Sequence, residues 1–498
     1  MDPIFELHLC RPPKGSRAAA DLLFSQLRDA IIDGRLAPGA QLPATRKATA
    51  FFGVSRNTCA TVYERLLRAG YLTSRHGSGT FVALRRRITP SSTRRISKPD
   101  DRLNPLWLSD GVASALGFWR ETHGGETAVK PATADFRPAL VDPQLFPYDV
   151  FRRVSTKQLR GLERKPASLR SPQGNQGNYA LRNAVTHHIA LTRAIACRPN
   201  DILVTSGAQQ AFDLLARVLV RPGQTIVAIE DPGYPPLRVP FTAAGAVVIP
   251  VPVDEEGLIV EALPVGTKVI CVTPSHQFPL GVAMSSARRQ ALLAYAREHN
   301  AVILEDDYDG EFRYEGSPLE ALRAADESDV VFYVGTFSKC MLPSLRLGFI
   351  VAPAWAMRTL VAAKNALDWH CSTPLQVTVA AFIADGHLLR HVRKMRHLYG
   401  HRRELLRRGF DGPLGKWFKP IPSFYGMHTT AMARPGVDVE NAATRVLRDG
   451  IKIHTLDRYY VGAPTRDGLV FGYGAAGLDQ LALGMEKLCQ VLYRASCV

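Results

Sequence analysis

The sequence predicts a multidomain protein: a small helical N-terminal domain closed by a β-hairpin, a polar linker, and a large α/β domain on a largely parallel sheet. Three observations carry this prediction. The chain has 498 residues, too many for one ordinary core. Its net charge of +17 is concentrated, because residues 1–98 hold 17 Lys and Arg against 6 Asp and Glu. From about residue 134, strand-like runs alternate with helical patterns, the order that builds parallel sheets covered by helices.

Composition narrows the class. Hydrophobic residues make up 46% of the chain, yet no apolar run approaches the roughly 20 residues that span a bilayer. The opening MDPIFELHLCRPPKGSRA has acids where a signal peptide needs a basic start, so a cytoplasmic protein with no membrane partner is expected. The eight cysteines (10, 59, 197, 271, 340, 371, 489 and 497) form no CxxC pair and no ligand spacing with histidine. They read as reduced thiols, with no metal site expected.

In the basic segment, ADLLFSQLRDAIID (20–33) repeats apolar residues at helical spacing, through Leu22, Leu23, Leu27, Ile31 and Ile32. Gly34 suits its C-terminus. A short helix over about 44–51 and the turn Phe52-Gly53-Val54 follow. A second helix opens at Ser55, a good N-cap residue, and runs to about Arg68. Two alternating segments, Tyr71 to Ser74 and Gly79 to Ala83, flank the turn Arg75-His76-Gly77-Ser78. This order is a winged helix-turn-helix, assigned to residues 1–84. Its second helix enters the major groove, so Ser55, Arg56, Asn57 and Thr58 are placed to meet bases or phosphates of double-stranded DNA. Arginine reads guanine and asparagine reads adenine. Arg46 suits a phosphate, and His76 with Gly77 at the wing tip suits the minor groove.

The segment resembles the GntR family of bacterial repressors over about 60 residues. The resemblance rests on Ile31, Gly34, Leu36, Pro38-Gly39, Leu42-Pro43, Arg46, Gly53-Val54, Ser55-Arg56, Thr58, Tyr63, Leu66, Gly70 and the run Gly77 to Val82.

From residue 85 to 130 the periodicity dissolves. RRRITPSSTRRISKPDD reads as an extended linker. Its arginine clusters suit DNA phosphates or a solvated hinge, and LWLSDGVASALGFW reads as a helical patch docking on the next domain.

The third domain, 131–498, contains strand-like runs at 201–205, 225–230, 246–251, 268–273, 301–305, 330–334 and 347–351. Ligands in such folds sit at strand ends and helix N-termini. Four clusters fall there. VTSGAQQAF places Gly207, Ala208 and Gln209 at a helix start suited to a phosphate. EDPGYPP puts Tyr234 in a loop. VILEDDYDGEF puts Asp306 and Tyr308 at a strand end, with Asp307 a rival for the carboxylate role. VVFYVGTFSK and the following turn hold Thr336, Ser338, Lys339 and Arg346. A lysine able to form a Schiff base, a carboxylate for a protonated pyridine nitrogen, a phosphate cup and an aromatic ring to stack are what pyridoxal 5'-phosphate requires.

These clusters resemble the fold-type I pyridoxal-phosphate transferases, the aspartate aminotransferase superfamily, over roughly residues 134–495. The resemblance implies that Lys339 is the Schiff-base lysine and that Thr336 and Arg346, with Ser338 in the same motif, bind phosphate. It further implies that Asp306 pairs with the ring nitrogen, Tyr308 with the ring hydroxyl, and that Tyr234 stacks. In SHQFPLG, His276 or Gln277 replaces the family's asparagine near the ring. Together, head and body resemble the MocR group of regulators. That implies a DNA-binding regulator whose body senses a small amine, an amino acid or the cofactor itself, and a head-to-tail homodimer with exchanged domains. One departure stands out. The stretch GLVFGYGAAG (468–477) offers Val470 and Phe471 where aminotransferases carry the arginine for a substrate carboxylate. A bidentate clamp is not replaced by apolar side chains, so amino-acid transamination is not expected to be sustained.

Overall fold

The computed structural model describes residues 18–75, 77–83, 102–123, 132–164, 175–315 and 320–496. The chain divides into two compact units, Met1–Asp100 and Asp101–Val498.

In the first unit α1 (Ala18–Ile32), α2 (Thr45–Phe52) and α3 (Arg56–Arg68) precede a hairpin of β1 (Leu72–Arg75) and β2 (Gly79–Val82). Gly53, at φ 66°, ends α2, a left-handed position that costs glycine little. Ser55 caps α3 by accepting the Thr58 N–H at 3.1 Å. Leu23 and Leu27 of α1 pack with Cys59, Val62, Tyr63 and Leu66 of α3. The core is thus formed by the inward stripes of the helices. Gln41 ties the wing down by donating to the Ser78 carbonyl at 2.8 Å.

The second unit opens with α4 (Asp110–His123), whose Val112 and Ala115 pack on Val239. The C-terminal end of the segment that reads as linker is therefore helical and belongs to the body. The arginine clusters of that segment, Arg85–Arg87 and Arg94–Arg95, lie outside the described residues. Then come β3 (Ala134–Asp135), α5 (Tyr148–Arg164), α6 (Tyr179–Arg193), β4 (Ile202–Thr205), α7 (Ala208–Leu219), β5 (Ile226–Asp231), α8 (Pro235–Ala243), β6 (Val247–Asp254), β7 (Gly257–Leu258) and β8 (Thr267–Val272). They are followed by α9 (Ser286–Glu298), β9 (Val302–Asp307), β10 (Val331–Thr336), β11 (Gly348–Val351), α10 (Ala354–Asp368), α11 (Thr373–Ala384) and α12 (His387–Asp411). The remainder comprises β12 (Phe418–Pro420), β13 (His428–Ala433), α13 (Val439–Arg448), β14 (Ile451–Lys452), β15 (His454–Thr455), β16 (Gly468–Gly472) and α14 (Leu478–Ser496).

Eight strands form one sheet in the order β4-β11-β10-β9-β8-β5-β6-β7. Strands β10, β9, β8, β5 and β6 run parallel, whereas β11 is antiparallel to both its neighbours. Helices cover both faces, so β4, β10 and β11 are buried along their whole length. That is why these strands read as nearly continuous apolar runs. A smaller sheet, β12-β13-β16-β15, follows. The parallel strands β5, β8, β9 and β10 end on one edge, and there the polar loops converge.

Candidate cofactor pocket and nucleic-acid interface

In the head, α3 buries Cys59, Val62, Tyr63 and Leu66 and leaves Arg56 and Asn57 exposed in its first turn. Tyr63 fixes the incoming loop by donating to the Pro43 carbonyl at 2.9 Å. Ser55 is already committed, since its hydroxyl caps the helix and lies 2.8 Å from the Thr58 hydroxyl. Of the four residues at the helix start, Arg56 and Asn57 therefore carry the uncommitted polar side chains. Arg46, the second residue of α2, is exposed. Gly77 has φ 74° and nothing within 4 Å of its Cβ position. His76 lies outside the described residues. Arg75 stacks on Phe81 at 5.2 Å, which stiffens the wing.

In the body, Lys339 stands in the turn after β10 and donates to the Ala139 carbonyl at 2.5 Å. Burial lowers its pKa to about 8, and the carboxylates of Asp309 and Asp306 oppose the shift. Alternation along β9 separates its acids. Glu305 accepts the Leu322 and Arg323 N–H groups. Asp307 is paired with Arg193 at 2.6 Å and takes the Tyr333 hydroxyl at 2.7 Å. Asp306 faces the other way and is coupled to Lys339. Its Oδ1 is buried and has no hydrogen-bond partner among the described residues. Burial, then Asp307 and Glu230, raise its pKa to about 8.

The phosphate-cup residues are adjacent. Gly207 opens α7 with φ 85° and ψ 174° and no side-chain cap, leaving the first N–H groups of the helix unsatisfied by side chains. The Arg346 guanidinium reaches the Ser206 carbonyl at 3.1 Å and would stand 2.9 Å from a Cβ on Gly207. The Thr336 and Ser338 hydroxyls are 2.9 Å apart. Ala208 contributes backbone at the helix start. Gln209 directs its amide elsewhere, to the Pro236 carbonyl at 3.1 Å.

Tyr234 meets Phe118 and Phe278 edge-on at 5.7 and 5.6 Å. The Tyr308 hydroxyl donates to the His276 carbonyl at 3.1 Å and lies 2.9 Å from His276 Nδ1. Of the two candidates in SHQFPLG, Gln277 is consumed by backbone groups of its own loop and of the loop after β5. Its amide donates to the Pro232 and Phe278 carbonyls, and its oxygen takes the Leu280 N–H. His276 instead sits beside Tyr308, with Nδ1 3.0 Å from Asp309 and Nε2 without a hydrogen-bond partner among the described residues.

Sequence reasoning missed Asp309, His428, Glu230 and Arg193. His276, Asp309 and His428 present ligand-type atoms within 4.8 Å of one another, a set no local spacing reveals. Hydrogen bonds engage part of it: Asp309 holds His276 Nδ1, and His428 Nε2 meets the Pro279 carbonyl at 2.9 Å. Glu230, with a pKa raised to about 7 by burial, takes both the N–H and hydroxyl of Thr273. Val470 is fully buried among Phe278, Leu280, Leu456 and Tyr459, while Arg458 and Arg466 are exposed.

The pocket fits pyridoxal phosphate on its own terms. A buried carboxylate oxygen lacks a partner, an amine of lowered pKa is coupled to it, and a glycine cradle with two hydroxyls and a guanidinium suits an anion.

Comparison with known proteins agrees. Residues 20–82 match the family described as bacterial regulatory proteins, gntR family, and residues 146–470 match aminotransferase class I and II. The chain is 33% identical over 459 residues to a probable rhizopine catabolism regulatory protein MocR of Rhizobium meliloti, covering 92% of this chain and 90% of the relative. It is 31% identical over 460 residues to the pyridoxine biosynthesis transcriptional regulator PdxR of Corynebacterium glutamicum, covering 92% of each. Among solved structures, a kynurenine aminotransferase of Pyrococcus horikoshii superposes with a TM-score of 0.67 at 25% identity, covering 78% of this chain and 95% of that one.

Proposed function

The chain belongs to the MocR-type transcriptional regulators, a GntR-family DNA-binding head fused to an aminotransferase-like body, and on that premise we propose that the body carries pyridoxal phosphate and senses a small amine. The aminotransferase fold implies dependence on this cofactor. The unpartnered, buried Asp306 Oδ1 beside Lys339 is the observation that carries the reading. A buried carboxylate without a donor is costly, and a protonated ring nitrogen is the donor this position suits.

When bound, the cofactor supplies an aldehyde that condenses with primary amines and a ring that draws electrons from the resulting bond. Lys339 provides the resident amine, and its lowered pKa keeps a neutral fraction available. Thr336, Ser338, Arg346 and the backbone of Gly207, Ala208 and Gln209 would hold the phosphate. Tyr308 would meet the ring hydroxyl, His276 would flank it, and Tyr234 would cover a face. Asp309 fixes the His276 ring through Nδ1.

The effector class follows from what lies around the lysine. Val470, buried with apolar and aromatic side chains, stands where a guanidinium would be needed for a carboxylate, which favours an amine without an α-carboxylate, or the cofactor itself, as the signal. Such a ligand shifts DNA binding only by preferring one arrangement of the protein, and moving a ratio from 1:99 to 99:1 takes about 5.5 kcal/mol of preference. We take the acting species to be a cytoplasmic head-to-tail homodimer with exchanged domains, in line with the MocR-type family. The fold also supports a second reading, a working aminotransferase with a regulatory head. Single-turnover spectra with a panel of amines separate the two, since sustained keto-product formation means an enzyme. The cofactor assignment is tested by absorption. Purified protein with added pyridoxal phosphate shows a visible band that Lys339→Ala abolishes, and an unchanged spectrum refutes it.

A further inference from the structure

The body carries a ladder of cations that its fold does not use. On α5, Arg153, Lys157, Arg160 and Arg164 are all exposed. Their spacing of four, three and four residues keeps them within an arc of about 60° along about 16 Å of helix. The buried Val154 lies about 90° around the helix from the middle of that arc. Among the described residues none of the four has an acidic partner. Several other exposed arginines of the body are paired locally. Arg407 and Arg408 share Glu404, Arg217 pairs with Asp213, and Arg152 on α5 itself pairs with Asp149 at 2.6 Å. Like charges three and four residues apart destabilise a helix, so the ladder persists against local stability.

A second observation points outward from the same face. The cations line a surface depression of about 590 Å³ with Thr156 and Gly161. Gly161 has nothing within 4 Å of its Cβ position, although glycine inside a helix is unfavourable. Gly161 flanks the ladder, and its missing side chain lets an elongated partner approach the helix backbone beside the charges.

We propose that α5 is a second polyanion-binding surface and that its partner is the phosphate backbone of duplex DNA. The inference rests on the chain being a DNA-binding regulator and is independent of the cofactor. DNA carries a phosphate about every 3.4 Å per strand along its axis, so a ladder of this length meets several at once. The four cations carry no base-reading geometry. They add affinity without specificity, as phosphate contacts do. The head, covalently joined to the body, raises the local DNA concentration that such a weak surface needs.

The test uses the full-length protein and a fluorescent 40-bp duplex of random sequence, with anisotropy titrations from about 50 to 300 mM salt. Each phosphate contact contributes about 0.9 to the slope of log affinity against log salt. The quadruple substitution Arg153→Gln, Lys157→Gln, Arg160→Gln and Arg164→Gln is expected to flatten that slope by about 2 to 4. A charge-keeping variant with lysine at all four positions keeps the wild-type slope, which excludes a mere folding defect. An unchanged slope in the glutamine variant overturns the proposal. So does an unchanged DNA slope together with lost binding to vesicles containing about 30% phosphatidylserine, which would assign the ladder to a lipid surface.

Discussion

Asp306→Asn should stabilise the cofactor-free protein while weakening its hold on the cofactor. In the native state burial and its acidic neighbours raise the carboxyl to about 8 from an ordinary value of 3.8. The sign follows from proton binding. Between those two values the unfolded chain is ionised and the folded chain keeps its proton, so stability falls as pH rises and the loss is complete above about 8. Four pH units at about 1.4 kcal/mol each set a ceiling of about 6 kcal/mol. Water entry and relaxation absorb part of it, leaving an expected gain of about 2 to 4 kcal/mol for the asparagine variant at pH 8. Lys339 acts oppositely and later, because its pKa is lowered to about 8 from 10.5, so it restores stability only above pH 8. Urea unfolding of the apo proteins between pH 5 and 8 tests this directly. The two curves should converge toward pH 5 and separate with rising pH, and the variant should need more pyridoxal phosphate to develop its visible band. Parallel pH profiles, or an apo variant less stable than wild type at pH 8, would refute the placement of Asp306 as an unpaired buried acid.

Three further outcomes are expected. Gly207→Ala forces a side chain into a backbone region reserved for glycine (φ 85°, ψ 174°) and against Arg346. It should cost about 1 to 3 kcal/mol of stability and lower cofactor affinity, read by urea unfolding and spectral titration. Arg56→Ala should weaken operator binding by about 1 to 3 kcal/mol if the exposed guanidinium reads a base, measured by gel shift on the natural promoter. Ser55→Ala removes the α3 cap and should destabilise the head by about 0.5 to 2 kcal/mol, seen as a lowered melting temperature of the head's transition.

The head was legible because its signals are local. A cap at Ser55, a left-handed glycine at position 53 and an apolar stripe through Val62 and Leu66 each act within one or two turns of chain. The parallel sheet was legible from its buried strands for the same reason. The choice between Asp306 and Asp307 was open in the one-dimensional pattern, and strand alternation separates them once β9 is in place. His276 and Gln277 are adjacent and equally polar, and only the fold reveals that the glutamine amide is spent on the Phe278 carbonyl and Leu280 N–H of its own loop and on the Pro232 carbonyl of the loop after β5. Asp309, His428 and Glu230 were hidden because their partners lie 33 to 149 residues away. The helix α4 was legible in LWLSDGVASALGFW as a patch docking on the body, and Val112, Ala115 and Phe118 do pack there, on Val239 and Tyr234.

The charge balance around Lys339 bears on what the pocket accepts. Glu230, Asp306 and Asp309 are all buried there, and only Lys339 and Arg346 oppose them among the groups coupled to Asp306 and Lys339. Arg346 already lies over the α7 N-terminus, where a phosphate suits it. A ligand bringing a carboxylate to this edge would face an acid excess with Val470 where a guanidinium is needed, and burying that charge unpaired is costly. A ligand bringing an amine alone avoids that cost. On the proposed reading, the absent arginine is therefore what disfavours an effector that carries an α-carboxylate.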